Sequence, residues 1–283
     1  MDKILLIDGM NAIWRANIGF KPYIKKNDGW EDKEESKQDF VTTFNFFRNL
    51  RPIIEQFSPD KVFFVLEGRP IHRYNIFPAY KANRLIKTGS RLEAKNTVDI
   101  QKDIIINLIK HLPFTIIRAE NYECDDVIGT LVENLKNENV TILSSDSDFT
   151  QLLQKGYNNL NIYNPIKKQF IKAPAYHYLG WKCLAGDASD NIPKLLTPAK
   201  ALKAIEDPNV LSEFLSSEEK RSLFNINKEL IEIKIIPEEE LILEEGVKNF
   251  PELKKEFIKM EFASITNDSS WEKYTETFKC IKF

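Results

Sequence analysis

The sequence predicts an α/β protein, with a mostly parallel central sheet flanked by helices and followed by a mainly helical C-terminal region. From residue 3 to about residue 165, short apolar runs rich in Ile, Val and Phe alternate with amphipathic stretches. This alternation is typical of parallel strands that are buried on both faces and joined by right-handed helical crossovers. Beyond Tyr176, strand-like runs become rare. We therefore expect an α/β domain over 1–180 and a helical domain over 181–283.

The individual elements follow from the local periodicity. Strands are predicted at the apolar runs 3–7, 62–66, 114–117 and 140–143. In the first domain, helices are predicted where apolar residues recur at helical spacing, at 38–57, 97–111 and 123–136. In the second region they are predicted at 199–206, 209–216, 218–234 and 252–263. Residues 21–37 are polar and irregular and are predicted to form a surface loop.

Composition excludes several classes of protein. No apolar run approaches the roughly 20 residues that span a bilayer, and the first residues lead straight into a predicted strand instead of a signal peptide. We expect no membrane association and a cytoplasmic location, which would be the host cytoplasm for a viral protein. The cysteines are too scattered for a disulfide framework or a zinc site, and we expect reduced, mostly buried thiols at Cys124, Cys183 and Cys280.

Carboxylates follow the predicted strands and open a predicted helix. They comprise two single residues and three tight clusters: Asp8, Glu67, Glu123-Cys124-Asp125-Asp126, Asp146-Ser147-Asp148 and Asp187-Ala188-Ser189-Asp190. Ligands of open parallel sheets bind beyond the carboxyl ends of the strands, so we expect most of these acids at one sheet edge. Like charges at close range repel unless a cation neutralises them. Hard oxygen ligands select Mg²⁺ or Mn²⁺, and pairs of such ions usually serve phosphodiester cleavage.

The net charge of −2 hides a strong asymmetry along the chain. Between Arg69 and Lys95 there are seven Lys or Arg and one Glu, with Tyr74, Phe77 and Tyr80 among them. Cations interleaved with aromatic side chains are typical of single-strand nucleic-acid binding, although a solvated helix face would have the same charges. The acidic stretch containing Glu238–Glu240, Glu244 and Glu245 predicts a solvated face or a surface for a partner protein.

Five strings in this order resemble the 5′ nucleases, the flap endonucleases and 5′→3′ exonucleases with a PIN-like core. They are Leu6-Ile7-Asp8-Gly9-Met10-Asn11, Phe77-Pro78-Ala79-Tyr80-Lys81-Ala82-Asn83-Arg84, Tyr122-Glu123-Cys124-Asp125-Asp126, Ser144-Ser145-Asp146-Ser147-Asp148-Phe149-Thr150-Gln151-Leu152 and Gly186-Asp187-Ala188-Ser189-Asp190-Asn191-Ile192-Pro193. The resemblance runs from residue 3 to about residue 200 and is fainter beyond. The fourth string and the helical tail are most similar to the bacteriophage branch, which includes phage RNase H.

The resemblance implies a site for two metal ions. One ion would be held by Glu67, Glu123, Asp125 and Asp146, and the second by Asp148, Asp187 and Asp190, partly through water. Asp8 would act at either ion, and Asp126 would bind through water or else cap the helix at 123. Residue 67 is a Glu where the family usually has Asp, which could rearrange the ligands. Two Mg²⁺ ions, replaceable by Mn²⁺, would activate water and stabilise the scissile phosphate.

The resemblance also implies how nucleic acid is held. A basic arch over residues 69–96 would cover the site, with Lys81 and Arg84 on the scissile phosphate and Tyr80 stacked on a base. The catalytic set would then be Lys81, Arg84, Asp125 and Asp146. We expect Arg73 to steer the 5′ phosphate, and further phosphate contacts from Arg69, Lys87, Arg91, Lys194 and Lys200. The family's helix-hairpin-helix has a glycine-rich turn that binds K⁺; residues 194–200 contain no glycine, which argues against that ion here.

These features predict a structure-specific 5′ nuclease that removes RNA primers and 5′ flaps in DNA replication and repair. Its substrates would be DNA and RNA–DNA hybrids with 5′ ends or flaps. We expect it to be a monomer, and its partners would be the single-stranded-DNA-binding or clamp proteins of a replisome. Three alternatives stay open at this stage: a PIN-type single-strand ribonuclease, a Toprim domain, and a catalytically inactive DNA-binding protein.

Overall fold

A single twisted sheet organises the molecule and places its functional edge. The structure, a computed structural model, describes residues 1–18, 40–84 and 90–283, with the backbone alone over 90–97. The sheet has seven strands in the order β6-β5-β4-β1-β2-β3-β7. Their bounds are β1 Lys3–Asp8, β2 Lys61–Val65, β3 Thr115–Arg118, β4 Asn139–Leu143, β5 Leu160–Asn164, β6 Gln169–Phe170 and β7 Ile242–Glu245. The five central strands are parallel, and the two edge strands β6 and β7 are antiparallel to their neighbours.

Helices cover both faces of the sheet and form most of the chain after β6. They are α1 Gly9–Ile18, α2 Val41–Phe57, α3 Ile71–Ile76, α4 Ser90–Ile109, α5 Cys124–Asn134, α6 Tyr178–Ala185, α7 Pro198–Glu206, α8 Pro208–Phe214, α9 Glu218–Ile231, α10 Phe250–Lys259, α11 Ala263–Thr266 and α12 Asp268–Lys279. Short 3₁₀ turns occur at Ala82–Arg84, Asp148–Gln154 and Glu238–Glu240. Over the described ranges, every helix is too short or too polar to cross a membrane.

The predicted α/β class with a mostly parallel sheet is confirmed. The four predicted strands are β1 to β4, each within about a residue of the expected bounds. The sequence analysis did not predict β5, β6 and β7, which lie at or near the two sheet edges; β6 and β7 are short and exposed, whereas β5 is mostly buried and contains two Asn residues in its five. The predicted loop at 21–37 lies outside the described residues.

The chain beyond residue 236 returns to the sheet instead of staying with a separate helical domain. Strand β7 pairs with β3, and α10 to α12 pack on α2. Phe257 and Phe278 are fully buried in the same apolar cluster as Phe46 and Phe47. The division at residue 180 stays a prediction; across it, the last helices share one apolar cluster with α2 and the sheet.

The turn after α6 places two of the predicted acids beside the sheet edge. Gly186 ends α6 with φ +67°, and a Cβ there would lie 2.6 Å from the Pro193 carbonyl oxygen, so glycine is required. The fully buried Asn227 amide donates to the carbonyls of Cys183 at 2.8 Å and Pro193 at 2.7 Å. These bonds from α9 fix the hairpin 187–192, which carries Asp187 and Asp190.

Replacing Phe257 tests whether the last helices belong to the main core. Phe257→Ala removes a ring that contacts Phe47 and Tyr274, and it should lower the free energy of unfolding by about 3–5 kcal/mol in urea titrations. Phe283→Ala, at a half-exposed ring, is the matched control and should change it by less than about 0.5 kcal/mol. If both variants lowered the free energy of unfolding by the same small amount, α10 would not be part of the core.

Candidate active site

The parallel strands bring carboxylates from four segments to one edge of the sheet. Asp8 is the last residue of β1, Glu67 follows β2 by two residues, and Asp146 follows β4 by three. Asp125 lies in the first turn of α5, where the helix dipole favours negative charge. Within the described ranges, none of these four carboxylates has a Lys or Arg nitrogen within 4.0 Å.

Asp8 is held rigidly at the base of this group. Its carboxylate accepts hydrogen bonds from the Asn11 backbone N–H at 3.1 Å and from the Ser144 hydroxyl at 2.8 Å. Burial raises the pKa of Asp8 to about 6, more than these bonds lower it, and the charges of Asp146 and Glu67 add to the rise. The site therefore holds a carboxylate that is costly to ionise without a nearby cation.

Asp8, Cys124 and Asp125 form a group that fits a divalent ion. One potential ligand atom from each lies within 4.8 Å of the others. Burial raises the pKa of Asp125 well above its usual value, with further contributions from Asp146, Glu123 and Asp8. A divalent cation between the Asp8 and Asp125 carboxylates would remove that penalty, and carboxylates are the ligands that Mg²⁺ and Mn²⁺ prefer. The donor set therefore fits the metal chemistry that the sequence predicts.

Glu123 lies beside this group but already contacts three side-chain donors, and it accepts the Asp126 backbone N–H in the capping box of α5. Oε2 accepts from the Tyr80 hydroxyl at 2.8 Å and lies 3.0 Å from Arg73 Nη1. Oε1 is paired with the Lys81 ammonium. Because Glu123 is buried, these contacts are the means by which its charge is tolerated.

The acids expected at the second ion form ion pairs of their own. Asp190 pairs with Arg84 and lies 3.7 Å from Lys81 Nζ. Asp148 pairs with Lys182, whose ammonium is also 3.0 Å from Asp187. Lys182 is buried, and its two carboxylate partners raise its pKa against the effect of burial. Burial raises the pKa of Asp148 to about 6, while Lys182 opposes the rise.

The segment that carries Lys81 and Arg84 is joined to the 187–192 hairpin by hydrogen bonds, which together form a clasp between the two segments. The Lys81 backbone N–H donates to the Asp190 carbonyl at 2.9 Å, and the Asn191 amide donates to the Ala79 carbonyl at 2.8 Å. Asn83 adds a bond to the Ala188 carbonyl. Both Lys81 and Asn191 have positive φ, at 55° and 60°. This clasp fixes the two predicted phosphate-binding cations directly beside the carboxylates.

Arg73 and Tyr80 do not lie where the sequence predicts, and Asp126 follows the helix-capping alternative. Arg73 is 2% exposed, so it offers no surface to a 5′ phosphate, and Tyr80 is 3% exposed, so its ring is not open to stack on a base. Asp126 is 0% exposed and binds Arg73 through both carboxylate oxygens. Successive helix residues point about 100° apart. Asp125 therefore points toward the other acids while Asp126 points into the core, where it also caps α5.

Asp146 and Asp148 do not alternate along an extended strand end. A turn follows β4, and Asp148 begins the 3₁₀ segment with its N–H donating to Asp146 at 2.9 Å. Asp146 is exposed and raises the pKa of Asp125, whereas Asp148 pairs with Lys182. The two carboxylates thus belong to different halves of the site.

The other predicted nucleic-acid contacts are surface residues. Arg69 is exposed, with its guanidinium carbon 5.5 Å from the Tyr74 ring centre. Lys194 and Lys200 are exposed before and within α7. Lys87 lies outside the described residues, as does the side chain of Arg91. Their contacts with nucleic acid stay predictions.

Sequence reasoning missed several side chains that support the site. Ser144 and Asn11 lie inside the quoted strings, yet no role was assigned to them. Asn11 donates to the Ser145 hydroxyl at 2.7 Å and its amide oxygen accepts the Ser145 N–H, which ties the first turn of α1 to the loop after β4. Lys182 was detectable as a lone cation in the apolar run Tyr178–Ala185. A lysine is seldom buried unless it is paired.

Comparison with known proteins decides the family. Residues 3–177 match the family model described as the 5′-3′ exonuclease N-terminal resolvase-like domain. The chain belongs to the 5′-3′ exonuclease family. It is 29% identical over 233 residues to a 5′-3′ exonuclease of Bacillus subtilis, with 76% of this chain and 74% of that protein aligned. It is 25% identical to DNA polymerase I of the same organism, covering 82% of this chain but only 26% of the polymerase.

Solved structures of nucleases share this fold over nearly the whole chain. The bacteriophage T5 flap endonuclease in complex with DNA and metal ions aligns with a TM-score of 0.62 at 14% identity, over 98% of this chain and 97% of that one. T5 5′-exonuclease with bound zinc aligns with a TM-score of 0.60 at 14% identity, covering 98% of each chain. Human GEN1 bound to Holliday junction DNA aligns with a TM-score of 0.55 at 14% identity, over 97% of this chain and 71% of that one. The predictions of a 5′ nuclease fold and of a 5′-3′ exonuclease-type enzyme are confirmed at the level of the family.

Asp8→Asn tests the electrostatic penalty at the base of the site. The folded-state pKa of about 6 exceeds the usual 3.8, so the folded protein binds more protons between these pH values and loses stability as pH rises through them. In EDTA at pH 8, Asp8→Asn should therefore raise the free energy of unfolding by up to about 3 kcal/mol, and by little at pH 4. Urea titrations at both pH values measure this.

The same pair of proteins in saturating Mg²⁺ supplies the control. In Mg²⁺ at pH 8 the native protein should have the higher free energy of unfolding, because the ion stabilises the folded state of the protein that keeps the carboxylate. A variant that is less stable than the native protein in EDTA at pH 8 would contradict the penalty.

Proposed function

We propose that this protein is a structure-specific 5′ nuclease that hydrolyses phosphodiesters at 5′ flaps and in RNA primers paired with DNA. Family membership supports the nuclease, and one observation carries the site. Asp8 and Asp125 lie together near Asp146, beside Lys81 and Arg84, and none of these three acids is paired with a side-chain cation of the described residues. The arrangement provides oxygen ligands for divalent ions next to cations suited to a phosphate. The match over residues 3–177 favours this function over a PIN-type ribonuclease, a Toprim domain or an inactive binder.

The carboxylates would hold two Mg²⁺ ions, which Mn²⁺ could replace. Asp8, Glu67, Asp125 and Asp146, together with Glu123, would serve one ion, and Asp148, Asp187 and Asp190 the other. When bound, such ions lower the pKa of a water molecule and stabilise charge on the phosphate. A potassium site after Asp190 is not part of the proposal, since residues 194–200 contain no glycine.

Lys81 and Arg84 would bind the scissile phosphate. Both cations currently contact Glu123 or Asp190, and a divalent ion on those carboxylates would leave the ammonium and guanidinium groups to a phosphate. Lys81 has 16% of its side chain exposed and Arg84 46%, so both can reach an incoming strand. Exposed Arg69, Lys194 and Lys200 would add phosphate contacts along the flanking nucleic acid.

The cellular setting is a further part of the proposal. Solved relatives in the same fold are described in complexes with DNA, which supports DNA as a ligand here. RNA–DNA hybrids as substrates, single-stranded-DNA-binding or clamp proteins as partners, a monomeric state and a cytoplasmic location are proposed on the sequence features described above.

A substrate panel with Asp146→Asn tests the function. Labelled 5′ flap, nicked duplex, RNA primer on a DNA template and single-stranded RNA are incubated with Mg²⁺ or with EDTA. The native protein should release 5′ products from the flap and the primer in Mg²⁺ alone. Asp146→Asn removes a metal ligand and should slow cleavage by roughly 1000-fold, with affinity for the flap in EDTA unchanged or higher.

Glu245→Gln, an exposed acid on β7, is the matched control and should cleave like the native protein. Cleavage of single-stranded RNA alone would instead support a PIN-type ribonuclease. Cleavage of no substrate in Mg²⁺ would leave a binding protein.

Lys81→Ala tests whether Lys81 acts on the reacting phosphate. It should lower kcat by about 10²- to 10³-fold with a smaller change in KM, because its contact strengthens as charge develops on the phosphate. Lys200→Ala, at an exposed site on α7, should raise KM and leave kcat near the native value. Steady-state kinetics on the flap measures both, and a change in KM alone for Lys81→Ala would make it a binding residue.

A further inference from the structure

The two carboxylate oxygens of Glu123 have unequal partners. Oε2 is held by Arg73 at 3.0 Å and Tyr80 at 2.8 Å, both of which are buried. Among the described side chains, the cation on Oε1 is Lys81, whose flexible side chain is partly exposed. The Glu123 carboxylate also accepts the Asp126 backbone N–H in the capping box of α5. We propose that Arg73 and Tyr80 are positioning residues that fix Oε2 of Glu123 and thereby present Oε1 as its metal ligand. This inference rests on the metal site proposed above.

Arg73 is suited to this role because its guanidinium has no freedom to move. It binds both oxygens of Asp126, at 2.5 and 2.8 Å. Its Nε donates to the Leu230 carbonyl at 2.9 Å, and Nη2 also reaches the Glu232 carbonyl at 3.3 Å. Asp126 is itself fixed at the start of α5 and accepts the Lys234 N–H at 2.9 Å. The guanidinium therefore joins α3, α5 and the end of α9 at one point.

Tyr80 supplies the second fixed donor. Its hydroxyl lies 2.8 Å from Glu123 Oε2 and 3.5 Å from Asp190 Oδ2. Carboxylate oxygens only accept hydrogen bonds, so the buried phenol is the donor to both. The same residue thus touches a carboxylate expected at each of the two ions.

The energetic cost of freeing each oxygen differs, and this difference selects Oε1. Release of Oε2 would leave the buried Tyr80 hydroxyl without this acceptor and would weaken the pairing of a buried guanidinium, which is expensive away from water. Release of Oε1 from its ion pair frees the Lys81 ammonium, which can turn toward solvent or toward a phosphate. Glu123 should therefore bind an ion through Oε1 while Oε2 stays in place.

Metal affinity in full-length variants tests the proposal. Tyr80→Phe removes one donor to Oε2, and Arg73→Lys keeps the charge but cannot span Asp126, Glu123 and two carbonyls. Mn²⁺ binding is measured by electron paramagnetic resonance, without substrate. We expect affinity to fall roughly 10-fold in Tyr80→Phe and between about 10-fold and 100-fold in Arg73→Lys, as for other partners of ligating side chains.

Tyr274→Phe is the matched control. Tyr274 is also buried, and its hydroxyl donates to the Phe47 carbonyl at 3.1 Å in the main core. It should bind Mn²⁺ like the native protein and unfold in urea at a midpoint similar to that of Tyr80→Phe. Affinity for a 5′ flap in EDTA should be the same in Tyr80→Phe and the native protein.

Each other outcome has a defined meaning. Native Mn²⁺ affinity in folded Tyr80→Phe and Arg73→Lys would overturn the positioning role and leave the metal site intact. Unchanged Mn²⁺ affinity with weaker flap binding would make these side chains nucleic-acid contacts. A loss of Mn²⁺ binding that only follows the fraction of unfolded protein would make their role structural. Absence of Mn²⁺ binding by the native protein would overturn the metal site together with this inference.

Discussion

Mutual repulsion among carboxylates at the carboxyl ends of β1, β2 and β4 is the constraint on which the surrounding segments depend. Five of the nine acids, namely Glu123, Asp126, Asp148, Asp187 and Asp190, form ion pairs with Arg73, Lys81, Arg84 and Lys182. Among the unpaired acids, burial raises the pKa values of Asp8, Glu67 and Asp125, and Ser144 and Lys81 offset these rises only in part. The division explains why cations from α3, the 79–84 turn and α6 all meet at one edge. It also separates the acids that have a side-chain cation from those that have none among the described residues.

Much of the fold was predictable because the central strands carry strong local signals. Buried parallel strands are continuous apolar runs, so β1 to β4 were recognisable, and the acids that follow them were correctly expected at one sheet edge. Helices α2, α5, α7 and α9 were similarly visible from their apolar spacing. Edge strand β7 was not, because Ile242–Glu245 is exposed throughout and reads as part of an acidic surface.

The pairings within the site could not be read from local pattern. Arg73 lies in a basic run that looks solvent-facing, yet its acceptors are Asp126 and the carbonyls of Leu230 and Glu232, far along the chain. Adjacent Asp125 and Asp126 look equivalent in sequence and become different only when α5 turns them to different environments. Tyr80 and Lys182 were misjudged or missed for the same reason, since long-range partners decide their burial.

Because β7 and helices α10 to α12 come from the end of the described chain, the order of synthesis matters for this protein. A nascent chain emerging from the ribosome carries β1 to β5 long before Phe257 and Phe278 can cover Phe46 and Phe47. Until then, the apolar side of α2 that these helices cover and the free edge of β3 are open to other chains. Productive folding of the whole sheet therefore waits for the last segment, and premature termination before α10 yields an aggregation-prone fragment instead of a smaller enzyme.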